Sequence, residues 1–415
     1  MKSSDYVRHN GKRNLLVTIF LSVALIAAML MGVIGLANAG GGGTAPTGLT
    51  GAAPSGVSSG ELLPAGAYSG NWTGEGNYDT SWYTGDSPYT ISDAADLAGL
   101  AYLVNSGNGF SMSTINLAAN IDLDGHYWIP IGSAGNTFNG TFDGCGYVVS
   151  NMNVNIVDTA NISRYSGLFG YINGATVKNV GIGAGSMIYL DAPNGDHHTG
   201  GVVGFAYNSS VIDNCYSLAV IDIDAAGWGM AGGIVGGVYG NSVIYNCYNG
   251  NGTTVSGSIK TGDISITVDN SYVVTGGVAG VLMGTNMYNC YNRGNIACTV
   301  SVKDENREVG GVVGSCYGGR IFNSYSTGNL SVNLAGGSWW HHWVSGITTQ
   351  SNTSSTYNGY NYFLAGTVDP TNYSPDRINN GATGTFANAN GALTAVNALP
   401  LTYGNTLIDA LNGWV

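Results

Sequence analysis

Gly276-Gly277-Val278-Ala279-Gly280, then after a short gap Tyr288-Asn289-Cys290-Tyr291-Asn292-Arg293-Gly294-Asn295-Ile296, is a line that this chain writes repeatedly. Between residues 166 and 331 it occurs five times. The other copies read Gly167-Leu168-Phe169-Gly170 with Asn179-Val180, Gly201-Val202-Val203-Gly204 with Asn214-Cys215-Tyr216, Gly233-Ile234-Val235-Gly236 with Asn246-Cys247-Tyr248, and Gly311-Val312-Val313-Gly314 with Asn323-Ser324-Tyr325. A worn sixth copy has Gly346-Ile347 and Asn358-Gly359-Tyr360. The leading glycines, at 167, 201, 233, 277, 311 and 346, are 34, 32, 44, 34 and 35 residues apart. A period of this size, with glycine corners and β-branched runs but no helical period, marks a stacked solenoid. Each unit holds short Val/Ile-rich runs bounded by Gly, Asn and Ser, as in the alternating Ile221-Asp222-Ile223, which is strand chemistry. One unit cannot bury its apolar face alone, so units must stack, at about 4.8 Å per rung.

Stacking turns equivalent positions into columns. One column is asparagine: Asn179, Asn214, Asn246, Asn289, Asn323 and Asn358. An amide can donate to one rung and accept from the next, and Asn tolerates the bent backbone of a corner. A second column is tyrosine: Tyr216, Tyr248, Tyr291, Tyr325 and Tyr360. Residues 92–104 form the best helical stretch, with Ser92 placed to cap it and Leu97, Leu100, Leu103 and Val104 on one face. A helix there would cover the first open rung. The tail from Asn405 to Val415 reads as a second short helix for the far end. The expected fold is therefore all-β, a parallel β-helix of about six repeats of 32–44 residues with short helical caps at both ends.

Gly-Leu-Phe-Gly and its variants resemble the GLUG repeat of large bacterial and archaeal surface proteins. Tyr78-Asp79-Thr80-Ser81-Trp82-Tyr83, Tyr89-Thr90-Ile91-Ser92-Asp93-Ala94 and Phe142-Asp143-Gly144 resemble the segment that opens such a helix. Thr402-Tyr403-Gly404-Asn405-Thr406-Leu407 to Trp414-Val415 resembles the segment that closes one. The likeness runs over roughly residues 78–415. It implies a right-handed parallel β-helix at the cell surface and names no single function.

Only 9% of residues are charged, and 67 are glycine, against a usual charged share of about a quarter. With 44% hydrophobic residues, this is the composition of a tightly stacked, water-poor body rather than a disordered chain. Residues 1–39 read as a secretory leader, with a basic end at Lys12-Arg13, an apolar run from Leu15 to Leu36 and a small-residue cleavage site at Ala37-Asn38-Ala39 before Gly40. The run is long enough to serve instead as an uncleaved anchor, the one expected contact with a membrane. Residues 40–66 are a flexible Gly/Ala/Pro/Ser linker. Residues 67–165 hold the cap and first irregular rungs, 166–363 the repeats, and 364–415 a C-terminal capping segment. Removing the leader leaves 8 basic and 23 acidic residues, a balance that repels nucleic acid.

Six cysteines in an exported chain can be oxidised. Cys215, Cys247 and Cys290 share a column on neighbouring rungs, close enough to bond, although parallel Cβ vectors favour simple packing. Cys298 aligns with core positions, Cys316 has no clear role, and Cys145, in the turn Asp143-Gly144-Cys145-Gly146, suits a bond between subunits. Trp339-Trp340-His341-His342-Trp343 is the most unusual local stretch. It suits a loop folded over the solenoid, or a contact site for a glycan or surface protein. His341 and His342 lack a third ligand for a metal, as does the weaker pair His197-His198. Asp122-Leu123-Asp124-Gly125 resembles the opening of a calcium loop, but the later ligands are missing, so calcium is a weak expectation and no cofactor is expected. No nucleophile elbow, phosphate loop or zinc signature occurs, and the few lysines and arginines form no recurring pattern with carboxylate pairs. The expectation is a non-enzymatic envelope protein that polymerises with itself, loosely like archaeal sheath or surface-layer subunits. An adhesin gripping a glycan or protein through side loops is the alternative, and a polysaccharide-active enzyme the third.

Overall fold

The computed structural model describes residue 72 and residues 77–157, 164–192, 195–225, 227–256, 259–268, 272–300, 307–334, 342–349, 361–364, 385–387 and 393–395. The leader, the Ala39-Gly40 junction, the linker and the C-terminal helix expected from Asn405 lie outside the described residues. No described helix is long and apolar enough to cross a membrane.

The chain winds into a parallel β-solenoid whose strands fall into five stacked sheets. One turn shows the plan: Phe169–Asn173 in sheet one, Thr176–Lys178 in sheet two, Gly181–Ile182 in sheet three, Met187–Ala192 in sheet four and Asp196–Gly200 in sheet five. Sheet one has five strands, from Phe169–Asn173 to Val313–Tyr317, so the regular array makes five turns. Sheets two and three begin earlier, at Tyr89–Ile91 and Ile121–Asp122.

Inward positions line up rung on rung. In sheet two, Ile115, Phe142, Val177, Ile212, Ile244 and Met287 are successive register partners and fully buried. Sheet four alternates, with Ile188 and Leu190 buried between half-exposed Met187, Tyr189 and Asp191. The longest repeat, 44 residues, keeps this register. Its extra length is an antiparallel hairpin of Thr254–Ser256 and Ile259–Lys260 between sheets three and four, and Ile264 still pairs with Ile221 below and Ile296 above.

Helix α1, Ala94–Asn105, closes the first rung with Leu97, Leu100, Ala101 and Val104 fully buried. Its cap is Asp93 rather than Ser92. The Asp93 carboxyl accepts from Asp96 N (2.9 Å), and Asp96 reaches back to accept from Ser92 N (2.9 Å), a reciprocal box.

The Gly-Gly corners have a specific cause. Between sheets five and one the chain folds back so sharply that the two sheets lie back to back, both almost wholly buried. The first glycine of each corner (Gly200, Gly232, Gly276, Gly310) abuts sheet-one backbone. The second (Gly201, Gly233, Gly277, Gly311) faces a polar side chain from sheet three, namely Ser217, Asn249, Asn292 and Ser326. The closing glycine sets the sheet spacing: a Cβ on Gly204 would lie 2.7 Å from Ser166 N, and one on Gly236 2.5 Å from Thr199 N. Further out, the gap between the sheets widens into a wedge. Met230, Val274 and Val281 are buried there with Tyr239, Tyr272 and Tyr317 in a cluster separate from the main core.

Candidate functional site

The corner between sheets two and three carries the Tyr-Asn-Cys-Tyr element. Asn179, Asn214, Asn246, Asn289 and Asn323 all adopt left-handed backbone, with φ between 51° and 55°, where Asn is among the few tolerated residues. Asn214 Nδ2 donates to Asn179 Oδ1 (2.8 Å), Asn289 to Asn246 (3.1 Å) and Asn323 to Asn289 (3.2 Å). The run breaks once, because Asn246 donates to Asp213 Oδ1 (3.0 Å) instead of Asn214. It ends on Asp143, whose Oδ1 accepts from Asn179 Nδ2 (2.9 Å) and from Cys145 N (2.9 Å), with Lys178 Nζ 3.1 Å from Oδ2. Burial alone would raise the Asp143 pKa, but the bonds from Asn179, Cys145 and Lys178 outweigh it and hold the group below its ordinary value. Asn358 lies outside the described residues.

Asn289→Ala is expected to cost about 2 kcal/mol, from left-handed strain and a lost amide bond. Asn289→Gly relieves the strain and should cost about half as much. Urea denaturation of both variants separates the two contributions, and equal losses would remove the strain argument.

Aromatic columns flank the asparagines. Tyr216, Tyr248, Tyr291 and Tyr325 stack at centroid spacings of 5.0, 4.8 and 4.8 Å with planes within 10°. On the other side Tyr245, Tyr288 and Phe322 stack at 5.5 and 5.8 Å. The spacing is the inter-strand distance itself, so ring faces cover one another and the flank presents ring edges and hydroxyls. Burial pushes the phenols up, Tyr325 to about 12.

Among the described residues, which include all six cysteines, none is joined in a disulfide. Cys215, Cys247 and Cys290 are buried in one column, each thiol against the carbonyl two residues back, of Asp213 (3.3 Å), Tyr245 (2.9 Å) and Tyr288 (3.2 Å). Burial pushes Cys215 and Cys247 well up, and Cys316 to about 12. Cys298 packs in register with Ile266 and Val332. Cys145 is exposed. Of the tryptophan–histidine stretch, Trp339, Trp340 and His341 lie outside the described residues. His342 and Trp343 open the strand His342–Ser345, which pairs with Arg307–Gly310 in sheet five, so this end of the stretch is ladder rather than loop. Asp122 Oδ1 accepts from Asp124 N (2.8 Å) and Asn151 Nδ2 (2.8 Å), the bonding of a turn. No group of three His, Cys, Asp or Glu gathers among the described residues.

Sequence reasoning missed two polar groups. One is a second amide ladder inside the solenoid, where Asn249 Nδ2 donates to Asn292 Oδ1 (2.9 Å) and to Gly262 O (2.7 Å). The other is Glu308, 1% exposed in the wedge. Its Oε1 accepts from Tyr272 (2.7 Å) and Tyr317 (3.1 Å), and its Oε2 from Thr349 Oγ1 (3.2 Å). The signal was a break in the repeat, since the same column holds Met230 and Val274 on the rungs before it.

His198 is buried in the wedge, stacked on Tyr165 at 5.4 Å and edge-on to Phe205 at 4.7 Å. Burial, with a smaller push from His197, lowers its pKa from 6.5 to about 3. Between these values the unfolded chain binds the proton and the folded chain does not, so stability rises with pH there. The contribution is complete above pH about 6.5 and is lost as pH falls towards 3. His198→Phe is expected to flatten the acid limb of a stability–pH curve. An unchanged limb would place the proton elsewhere.

No family model matches the chain. A stretch of 146 residues, 34% of this chain, is 31% identical to a protein of Evansella cellulosilytica named “putative Gly-rich membrane protein”, and spans 16% of that relative's length. Among solved structures, a “putative immunoglobulin A1 protease” of Bacteroides ovatus aligns at 20% identity and a TM-score of 0.48, covering 79% of this chain and 88% of its own. A chain named IgA1 protease aligns at 15% and 0.40, covering 72% of this chain and 21% of its own. The expectation of a non-enzymatic chain is corrected here. Both fold neighbours carry a protease name, and missing local motifs do not decide catalysis on a scaffold whose sites are built across rungs. At these identities the likeness is one of chain path and brings no substrate or catalytic residue to this protein.

Proposed function

We propose that this chain is an exported β-solenoid of the cell envelope that packs side by side with copies of itself into a sheath or surface layer. The observation that carries this reading is the flank of sheets two and three, where Tyr, Asn and Tyr columns repeat along the solenoid at the rung spacing. A strip of ring edges with a fixed repeat can interleave with the same strip on a two-fold-related copy. Helix α1 covers the first rung, which favours lateral over end-to-end growth. A charged content of 9% leaves little repulsion between neighbours. The leader-like residues 1–39 and the membrane name of the Evansella relative support export. Any covalent lock would run through Cys145, the exposed thiol.

Electron microscopy of the native envelope fraction tests this, with the same sample run on denaturing gels with and without reductant. Ordered arrays or tubes containing the chain support the reading, and release of monomer only after reduction assigns the lock to Cys145. A soluble monomer, absent from any array and unchanged by reductant, overturns it.

A further inference from the structure

The outer rim of the wedge is chemically unlike the Tyr-Asn-Tyr flank. Asp196, Trp228 and Tyr272 follow one another along sheet five, in register with strand pairs on neighbouring rungs. Tyr207 and Tyr239 face them from sheet one. Trp228 is 53% exposed and Tyr207 38% exposed, two of the few large apolar side chains left open to solvent. Unlike the flank rings, Trp228 is not covered by a parallel partner, since its neighbour Tyr272 is tilted by 51° at 5.4 Å.

We propose that this rim is a binding site for neutral sugars, with Trp228 as the stacking platform and Asp196 as the hydroxyl acceptor. A pyranose has an apolar C–H face that an exposed indole can cover, and a ring of hydroxyls that donate to a carboxyl oxygen. Asp196 sits one rung, about 4.8 Å, from Trp228 along the sheet, so one sugar unit can engage both. The Tyr239 hydroxyl adds a second polar partner: it reaches Met230 Sδ at 3.8 Å inside the wedge and lies near enough to Asp196 to feel its charge. The platform is held rigidly. Trp228 packs on Tyr272, whose hydroxyl is tied to Glu308 at 2.7 Å and to Tyr317 at 3.2 Å. A rigid aromatic anchor loses little conformational freedom on binding. The acidic partner disfavours uronic-acid and sulfated chains. A neutral glycan therefore fits better than an acidic one.

The test is isothermal titration of the whole chain with neutral hexamers of β-1,4-glucose, α-1,4-glucose and α-1,6-mannose, beside a hexamer of galacturonic acid. Saturable binding of at least one neutral hexamer is expected, weakened at least tenfold in Trp228→Ala, about threefold in Asp196→Asn, and little changed in Trp228→Tyr. Tyr102→Ala, at another exposed aromatic, should bind as the parent does. Far-ultraviolet circular dichroism and thermal unfolding confirm that the variants are folded, and neither rim variant should change array formation. No binding by any neutral hexamer, equal binding by Trp228→Ala, or stronger binding of the acidic hexamer overturns the proposal. Loss of self-association in Trp228→Ala also overturns it, since the rim would then be an interface between copies.

Discussion

Gly236→Ala is expected to destabilise the array by about 3 kcal/mol, near the upper end for overpacking of a tight interior, and Gly236→Val by more. A Cβ at this position would meet Thr199 N at 2.5 Å, Gly204 O at 2.7 Å and His198 C at 2.8 Å, all backbone atoms of neighbouring rungs. None is the free end of a side chain, so relief requires sheets five and one to separate, which opens the wedge. A solenoid holds together through nearest-neighbour interfaces, so damage at one rung uncouples those on either side. Urea denaturation should show a lower midpoint, with two transitions in the valine variant, and limited proteolysis should cut near Gly236. The control is Gly284→Asn: Gly284 has φ of 62° and no atom within 4 Å of a Cβ, and Asn accepts that backbone. A loss below about 0.5 kcal/mol in Gly236→Ala, within the usual range for surface changes, would mean the two sheets are not in backbone contact.

Glu308→Ala should cost about 3 kcal/mol. The carboxyl is the shared acceptor for Tyr272, Tyr317 and Thr349, and its removal leaves buried donors without that partner and a cavity among them. Glu308→Gln keeps an acceptor oxygen and much of the volume, so a loss nearer 1 kcal/mol is expected. Thermal unfolding of both variants checks this. A glutamine variant as unstable as the alanine one would show that charge, not hydrogen bonding, holds the site. Because Tyr272 also packs on Trp228, the alanine variant should loosen the rim as well.

The corners were legible in the sequence because their constraint is local. A backbone that must turn left-handed on every rung selects Asn at the same place, and Asn179 to Asn323 declare it. The apolar columns were legible for the same reason as any half-buried strand: Ile221-Asp222-Ile223 alternates. The wedge was not. Strands such as Val273–Gly276 and Ala279–Met283 are buried on both faces, so alternation vanishes and a run of Gly and Val between them reads as one strand with a corner. Nor was the interior amide ladder legible, since Asn249 and Asn292 carry side chains that composition rules place outside. They are tolerated because each has a named partner. The cap residue slipped by one, from Ser92 to Asp93, because both have capping chemistry and only the backbone bend separates them. Catalysis could not be read at all, since a solenoid brings together residues about a repeat apart and leaves no compact motif.

The hairpin between Asn249 and Ile264 shows what the third repeat absorbed without disturbance: ten more residues than the following repeat, yet Ile264 keeps both its ladder partners. The exit from sheet three into sheet four is therefore a permissive splice point, and each of the five turns owns one. Peptide epitopes, affinity tags or enzyme fragments grafted at this exit on chosen turns would be displayed at multiples of the rung height, with order and separation set by which turns are used. The chain is in that sense a ruler with attachment points, whose graduation is the distance between hydrogen-bonded strands.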